Sequence, residues 1–438
     1  MVMNTDFKIF HHTNNNAPVL DNIYGTMLDV LDACLVNGFE VGSVSSLTTS
    51  GKTVTATFSS SHNLQKYQVI KITGANQSEF NGEHRITEVP NSNQIKFELT
   101  TATSTTAASG TIIASLPPLG WEKPFYESNP AGGGKAAYRP ANLLLPSRPF
   151  LRVVDELDPT YTATYAKYAK VGIVDDMIGI NEMSGLQAPY DASNPDKNWV
   201  GTGAGQSVVN GWAKWYYARG STPGIGGNQY DYSTPSNGPR KWIVLGNKDY
   251  FYIIPSVNPA TSGAPNQVIW GFGYFKSIYN PDNRSFFLAC HDRNIAASTS
   301  TSPAIYGGLH ASNSSNSSNT GLILFQKYDG TSVYNQGQGK SLGGLSESFY
   351  SGSSDNYLTP YNGNYIFSPV NIFDQVTNTT GLVARGKAPS IHWVFHNKPF
   401  SDLSFIEKDG FIYMAKDIAT SGSTLGQVMF MLEGVEVD

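Results

Sequence analysis

The chain has 438 residues, enough for two or three domains with real cores. Charged residues make up 14% of it, against roughly 25% in ordinary soluble proteins, and Gly, Ser, Thr, Asn and Tyr fill the gap. A formal net charge of −5, with no basic run interleaved with aromatics, argues against direct nucleic-acid binding, and no apolar run reaches the roughly 20 residues that span a bilayer.

Residues 1–20 are polar and Asn-rich and read as an extended arm. The opening MVMNTDFKIFHHTNNN lacks the basic start and apolar centre of a signal peptide. One amphipathic helix is predicted next. Ile23, Met27, Val30, Leu31, Cys34 and Leu35 fall on one face of a 3.6-residue period, with Asp21 or Asn22 as the cap and Gly38 at the stop. Its apolar face must dock on the adjacent β module or on a neighbouring subunit.

From there to about Ala114 the pattern is that of a compact β module. Val54, Ala56 and Phe58 alternate with threonines, and Ile95, Phe97 and Leu99 alternate with Lys96 and Glu98. Ser50-Gly51-Lys52 and Asn81-Gly82 are hairpin-type turns. The module ends in the tract TTATSTTAASGTIIASLPP, which reads as an edge strand with a mobile loop, or as a linker. Beyond Pro117 and Pro118, strands are predicted at Leu151 to Leu157, Lys241 to Gly246, Asp249 to Pro255, Val268 to Tyr279 and Arg284 to Cys290. Further ones fall at Gly321 to Tyr328, Tyr365 to Phe373, Ser390 to His396, Gly410 to Lys416 and Gly426 to Leu432. Gly246-Asn247-Lys248-Asp249 and Asn280-Pro281-Asp282-Asn283 are turns, and Ala297 to Ala304 and Ala311 to Gly321 are low-complexity surface loops. No internal repeat is visible.

These patterns set the expected fold: mainly β, a compact N-terminal β module preceded by one helix, then a larger sandwich- or barrel-like β-rich region with long loops. The expected divisions are 1–39 (arm and helix), 40–116 (the β module, a small barrel by the resemblance that follows), 117–300 (central region) and 301–438 (C-terminal region).

The segment Ala17 to Phe39, followed by VSSLTTSGKTVTATFSSSHNL, resembles the opening of structural proteins of tailed bacteriophages. Val44 to Leu99 is similar to the small β-barrel first described as the first-catalytic-cysteine half-domain of ubiquitin-activating enzymes, a module phage proteins use widely without ubiquitin chemistry. His62 and Leu64 match its His-x-Leu, and Asn81 and Gly82 its Asn-Gly. Gly120 to Pro140, Phe150 to Glu156, the RKWIVLGNKDYFYII block with WGFGYF, HWVFHNKPF and GFIYMAKD continue the phage-like pattern. The resemblance implies a virion structural protein of the tail, baseplate or neck, made in the host cytoplasm, with a capsid-surface role second. Its implied partners are identical copies, as a homo-oligomer, and other virion proteins, with host surface glycan as a further candidate.

No GxSxG, HExxH, CxxC or GxxxxGK[ST] occurs, and the glycine cluster Gly201 to Gly205 has no apolar strand before it. His392 and His396 share a strand face without carboxylate or thiolate partners, and His11 and His12 are expected to face solvent. Asp155, Glu156, Asp158, Asp175 and Asp176 invite a glycosidase reading, but neighbours on a strand point to opposite faces. Trp212, Trp215, Tyr216 and Tyr217, with Trp270, Phe272, Tyr274 and Phe275, could stack on sugars. At alternate spacing half of each set is more simply core and half interface. Cys34 and Cys290, far apart, are expected as buried free thiols in a chain made in a reducing compartment. No catalytic, cofactor or metal residue is assigned. The rival function is a receptor-binding or polysaccharide-degrading tailspike.

Overall fold

A computed structural model describes residues 4–220, 230–259, 267–279, 284–299, 309, 322–328, 330, 335–340, 363–375, 382–394, 398–421 and 424–436. The chain is mainly β. Its first complete unit is a closed barrel of six antiparallel strands in the order Phe39–Ser50, Thr53–Phe58, Gln94–Glu98, Gly82–Asn91, Val69–Ala75 and Gly110–Leu116. The alternation seen in the sequence is the inside–outside alternation of this barrel: Leu47, Val54, Ala56, Ile72, Ile95 and Phe97 are buried within it. The strand Gly110–Leu116 is neither an edge nor a linker, because it pairs with both Phe39–Ser50 and Val69–Ala75 and so closes the ring. At that closure the backbone of Gly74 (φ +83°) lies against the carbonyl of Thr111, where a Cβ would collide. Gly51 (φ 65°) makes the first hairpin, whereas Asn81 acts through its side chain, which bonds the N–H and the C=O of Ala75 across a longer connection.

A second sheet has seven strands, ordered His291–Asp292, Ala213–Ala218, Lys167–Gly179, Phe150–Glu156, Gly133–Pro140 and Trp121–Ser128, with Glu182–Ala188 pairing on Lys167–Gly179. The third sheet has twelve. It runs Lys8–His11, Ile243–Gly246, Tyr250–Ile253, Trp270–Tyr274, Phe286–Ala289, Leu322–Leu324, Asn335–Lys340, Phe367–Gln375, Leu382–Val394, Thr424–Glu436, Phe411–Ser421 and Phe405–Lys408.

Side-chain alternation shows how these layers stack. Val244, Phe251, Ile253, Trp270, Phe272 and Leu288 pack with Leu151, Val153, Val171, Ile173 and Trp215 of the seven-stranded sheet. Their neighbours Ile243, Leu245, Tyr252, Phe287 and Leu324 point the other way, onto Ile391, Trp393, Met414 and Phe430 from the far end of the same twelve-stranded sheet. That sheet therefore curls over its own inner face. Tyr252 donates to the carbonyl of Pro389 at 2.8 Å and Tyr250 meets the Ser390 hydroxyl at 2.6 Å. With both faces covered, the strands of its first half read as continuous apolar runs.

Three expectations are corrected here. Residues 4–20 are not a free arm: Lys8–His11 pairs with Ile243–Gly246, and Arg85 and Gln68 of the barrel bond the carbonyls of Phe7 and Ile9. The helix is one α segment, Thr26–Leu31, continued by a wider π-type turn over Asp32–Asn37, and Ile23 lies outside it at 61% exposure. It contacts Gly133–Pro140 and Phe150–Glu156 of the seven-stranded sheet. Asp21 does not cap it. That part falls to Asp155, whose Oδ2 accepts the N–H groups of Gly25 (2.8 Å) and Met27 (3.2 Å). His396, the turn at 280–283 and the loop at 311–321 lie outside the described residues.

Candidate functional site

Of the acidic residues singled out in the sequence, Asp155, Glu156, Asp158 and Asp175 hold the fold together, while Asp176 is exposed and its carboxylate accepts, among the described residues, only the N–H of Met177. Asp155 is fully buried beneath the helix start, and its Oδ1 also accepts the Tyr217 hydroxyl at 2.7 Å. Burial outweighs these hydrogen bonds and lifts its carboxyl to about 6. Asp158 makes a buried ion pair with Lys170 at 2.9 Å and also accepts the N–H of Gly201. Burial opposes its charge, but Lys170 and the backbone donors prevail and hold it below the usual carboxylate range. Asp175 meets Arg284 at 3.2 Å, and Glu156 pairs with Lys135 at 3.6 Å. Thus Gly201 is the buried anchor, on Asp158, of a glycine-rich loop whose residues 202–207 are exposed.

A further buried polar cluster escaped the sequence. Asp231 accepts the Tyr216 hydroxyl (2.7 Å) and Arg219 Nε (2.9 Å), with Lys214 Nζ at 3.7 Å. Burial brings Lys214 down to about 8. These residues lie on a strand, Ala213–Ala218, and in the segments flanking it, and nothing in their local spacing distinguishes them from a solvated polar stretch. Most of the aromatic residues singled out, Trp215, Tyr216, Tyr217, Trp270 and Phe272, lie on one internal layer. These five are fully buried and Phe275 nearly so, while Trp212 and Tyr274 are half-buried, which corrects the expectation that half of each set would face outward. Trp215 donates to the Ala289 carbonyl at 2.9 Å and Trp270 to that of Tyr216 at 3.1 Å. Their role is to lock two sheets face to face.

The histidines are also repositioned. His11 is 2% exposed, not solvent-facing, and burial together with the charges of His12 and Lys416 lowers its imidazole to about 3. His392 is half-buried on the strand Leu382–Val394, with its Nδ1 3.1 Å from the Ser390 carbonyl. Cys34 and Cys290 are buried free thiols, as expected, and burial pushes both upward.

His11 stands beside a cavity of about 250 Å³ at the seam where the two ends of the twelve-stranded sheet approach each other. His12, Lys241, Asp402 and Lys416 share its wall with Gln65 from the barrel. Lys416 is buried and donates to both oxygens of Asp402, at 2.6 and 2.7 Å. Lys241 is exposed and makes no ion pair among the described residues. His11 Nε2 is buried without a hydrogen-bond partner, and His12 Nδ1 is 3.3 Å from the Trp242 carbonyl. Among the described residues no group of three His, Cys, Asp or Glu side chains is placed to hold a metal ion.

No protein-family model matches the chain, and no curated protein is similar to it at a significant level.

Proposed function

We propose that this chain is a structural, non-catalytic subunit of a tailed-phage virion that assembles through protein–protein contacts in the tail, baseplate or neck. The reading rests on the helix and small barrel of the N-terminal region, whose sequence resembles that family, and on the surface. One observation carries it. The loop between Gly133–Pro140 and Phe150–Glu156 presents Leu143 and Leu144 at 77% and 92% exposure, yet the loop itself is built rigidly.

Asn142 ties this loop to Asp249 at 2.7 Å and accepts the N–H of Leu144 at 3.1 Å. Arg148 closes its far side on the Pro140 carbonyl (2.6 Å) and on Glu122 (2.8 Å). Two adjacent leucines held out into water by a fixed loop lose favourable burial at about 25 cal/mol per Å² of apolar surface. Meeting a partner recovers that energy with little loop entropy left to lose. Tyr126 (66% exposed) and Ile178 (75%) add apolar surface at a corner where Asn181 bonds Glu127 at 2.8 Å.

Sheet extension is discouraged at two of the sheet edges. The edge strand Trp121–Ser128 carries Pro124 and a bulge between Glu122 and Phe125, devices that discourage strand addition. The edge strand Lys8–His11 is covered by the barrel.

The test is a Leu143→Asp/Leu144→Asp double variant. Loss of self-association or of binding to purified tails, with an unchanged melting temperature, supports the reading. Unaltered assembly, or release of oligosaccharide when the wild-type chain meets host capsular or lipopolysaccharide, overturns it.

A further inference from the structure

The seam cavity is a better-defined chemical feature than its place in an assembly subunit requires. Its fixed charges do not cancel. Lys416 and Asp402 neutralise each other through two hydrogen bonds of 2.6 and 2.7 Å, which leaves Lys241 as the uncompensated charge on the wall. Asp417, the carboxylate adjacent to Lys416 in sequence, is occupied by Lys398 at 2.6 Å. The wall thus carries a net charge near +1, which suits a monoanion.

The rest of the lining is hydroxyl-seeking. Asp402 has acceptor capacity left, the amides of Gln65 and Gln267 both donate and accept, and His11 Nε2 is buried and unpartnered. A buried polar atom without a partner is costly, and a ligand group that satisfied it would recover that cost. The lysines repel a metal cation. Inorganic phosphate would bring up to two negative charges against one uncompensated lysine and would set its oxygens beside the Asp402 carboxylate. The volume, about 250 Å³, falls below the roughly 300–1,000 Å³ of sites for drug-sized ligands and leaves room for one sugar-sized molecule.

We propose that this cavity binds a small hydroxylated monoanion, of the size of one acidic sugar residue, with its carboxylate on Lys241 and its hydroxyls on Asp402, His11 and the two glutamine amides. Binding here is separate from assembly through the Leu143–Leu144 loop, so each can fail without the other.

The experiment is calorimetry or ligand-observed NMR on the full chain at low salt with glucuronate, glucose, acetate and inorganic phosphate. Glucuronate is expected to bind at least tenfold more tightly than glucose, acetate or phosphate. Lys241→Met, at an exposed position, is expected to weaken glucuronate at least tenfold without moving the melting temperature. Gln65→Ala, which removes a lining amide and breaks no ion pair, is expected to weaken glucuronate while leaving acetate unaffected. Both a monomer and an oligomer of the acid are titrated. Binding of the oligomer assigns a polysaccharide as the source and binding of the monomer alone a free hydroxy acid, and either supports the site. Glucuronate that fails to bind at millimolar concentration, acetate or phosphate binding as tightly, or a Lys241→Met variant that binds normally would overturn the proposal.

Discussion

Replacing Asp155 by Asn is expected to stabilise the protein at neutral pH, against the usual rule that buried substitutions destabilise. Asp155 is wholly buried, and desolvation lifts its carboxyl to about 6 although it accepts bonds from Tyr217, Gly25 and Met27. In the unfolded chain the same group titrates near ~3.9. Between roughly pH 4 and 6 the native state therefore binds more protons than the unfolded state, and stability falls as pH rises through that window. The contribution is fully present below about pH 4 and lost above the folded value. At 1.36 kcal/mol per pH unit, the roughly two-unit gap corresponds to about 3 kcal/mol.

Asn is neutral at every pH. Its carbonyl can accept the N–H groups of Gly25 and Met27, while its amide donates to Tyr217. The Tyr217 hydroxyl can then turn its proton to the Ile23 carbonyl, already 3.3 Å away. Thermal melts of both proteins at pH 4 and pH 7.5 provide the assay. For a chain this long 1 kcal/mol is worth roughly 1–2 °C. The variant should match the wild type at pH 4 and exceed it by roughly 3–5 °C at pH 7.5. Parallel pH dependences in the two proteins would refute the reasoning.

Other substitutions test other parts of the fold. Arg385→Met strands the buried Asp374 carboxylate that it meets at 3.1 Å, and should cost about 3–5 kcal/mol, read as a lower denaturation midpoint. Trp215→Ala empties the layer between the two large sheets and removes the bond to Ala289, with an expected loss of about 3–5 kcal/mol by the same measurement. Gly74→Ala forces a Cβ onto the Thr111 carbonyl and should open the barrel at its closing strand, seen as faster amide exchange along Gly110–Leu116. Cys34 and Cys290 should be inert to a thiol reagent in the native protein and react together once it is denatured.

Most strands of the barrel were legible in the sequence because each has one dry and one wet face, whereas its closing strand, Gly110–Leu116, was not. Ile95 and Phe97 against Lys96 and Glu98 leave no doubt about period or orientation. The larger sheets were harder to read because both faces of their strands are covered. Residues 167–174 and the strand Ala213–Ala218 are buried throughout, with Lys167, Lys170 and Lys214 on internal partners, so these stretches present no wet side. Lys8–His11 is four residues long and finds its partner strand on the far side of the barrel in sequence, so no local signal marks it as a strand. Asparagines that suggested a loose arm serve as internal connectors instead: Asn14 bonds Asn63 and Gln68 of the barrel. The seam cavity gathers side chains from separate regions of the chain, and only the pair His11 and His12 stood out beforehand, assigned to solvent.

The assignment to a virion is tested most directly by a quantitative mass-spectrometric inventory of purified particles, with heads and tails separated, from cells that produce this chain. The account expects the chain in the tail fraction in fixed stoichiometry with the other structural proteins. Its presence only in the particle-free lysate would contradict it.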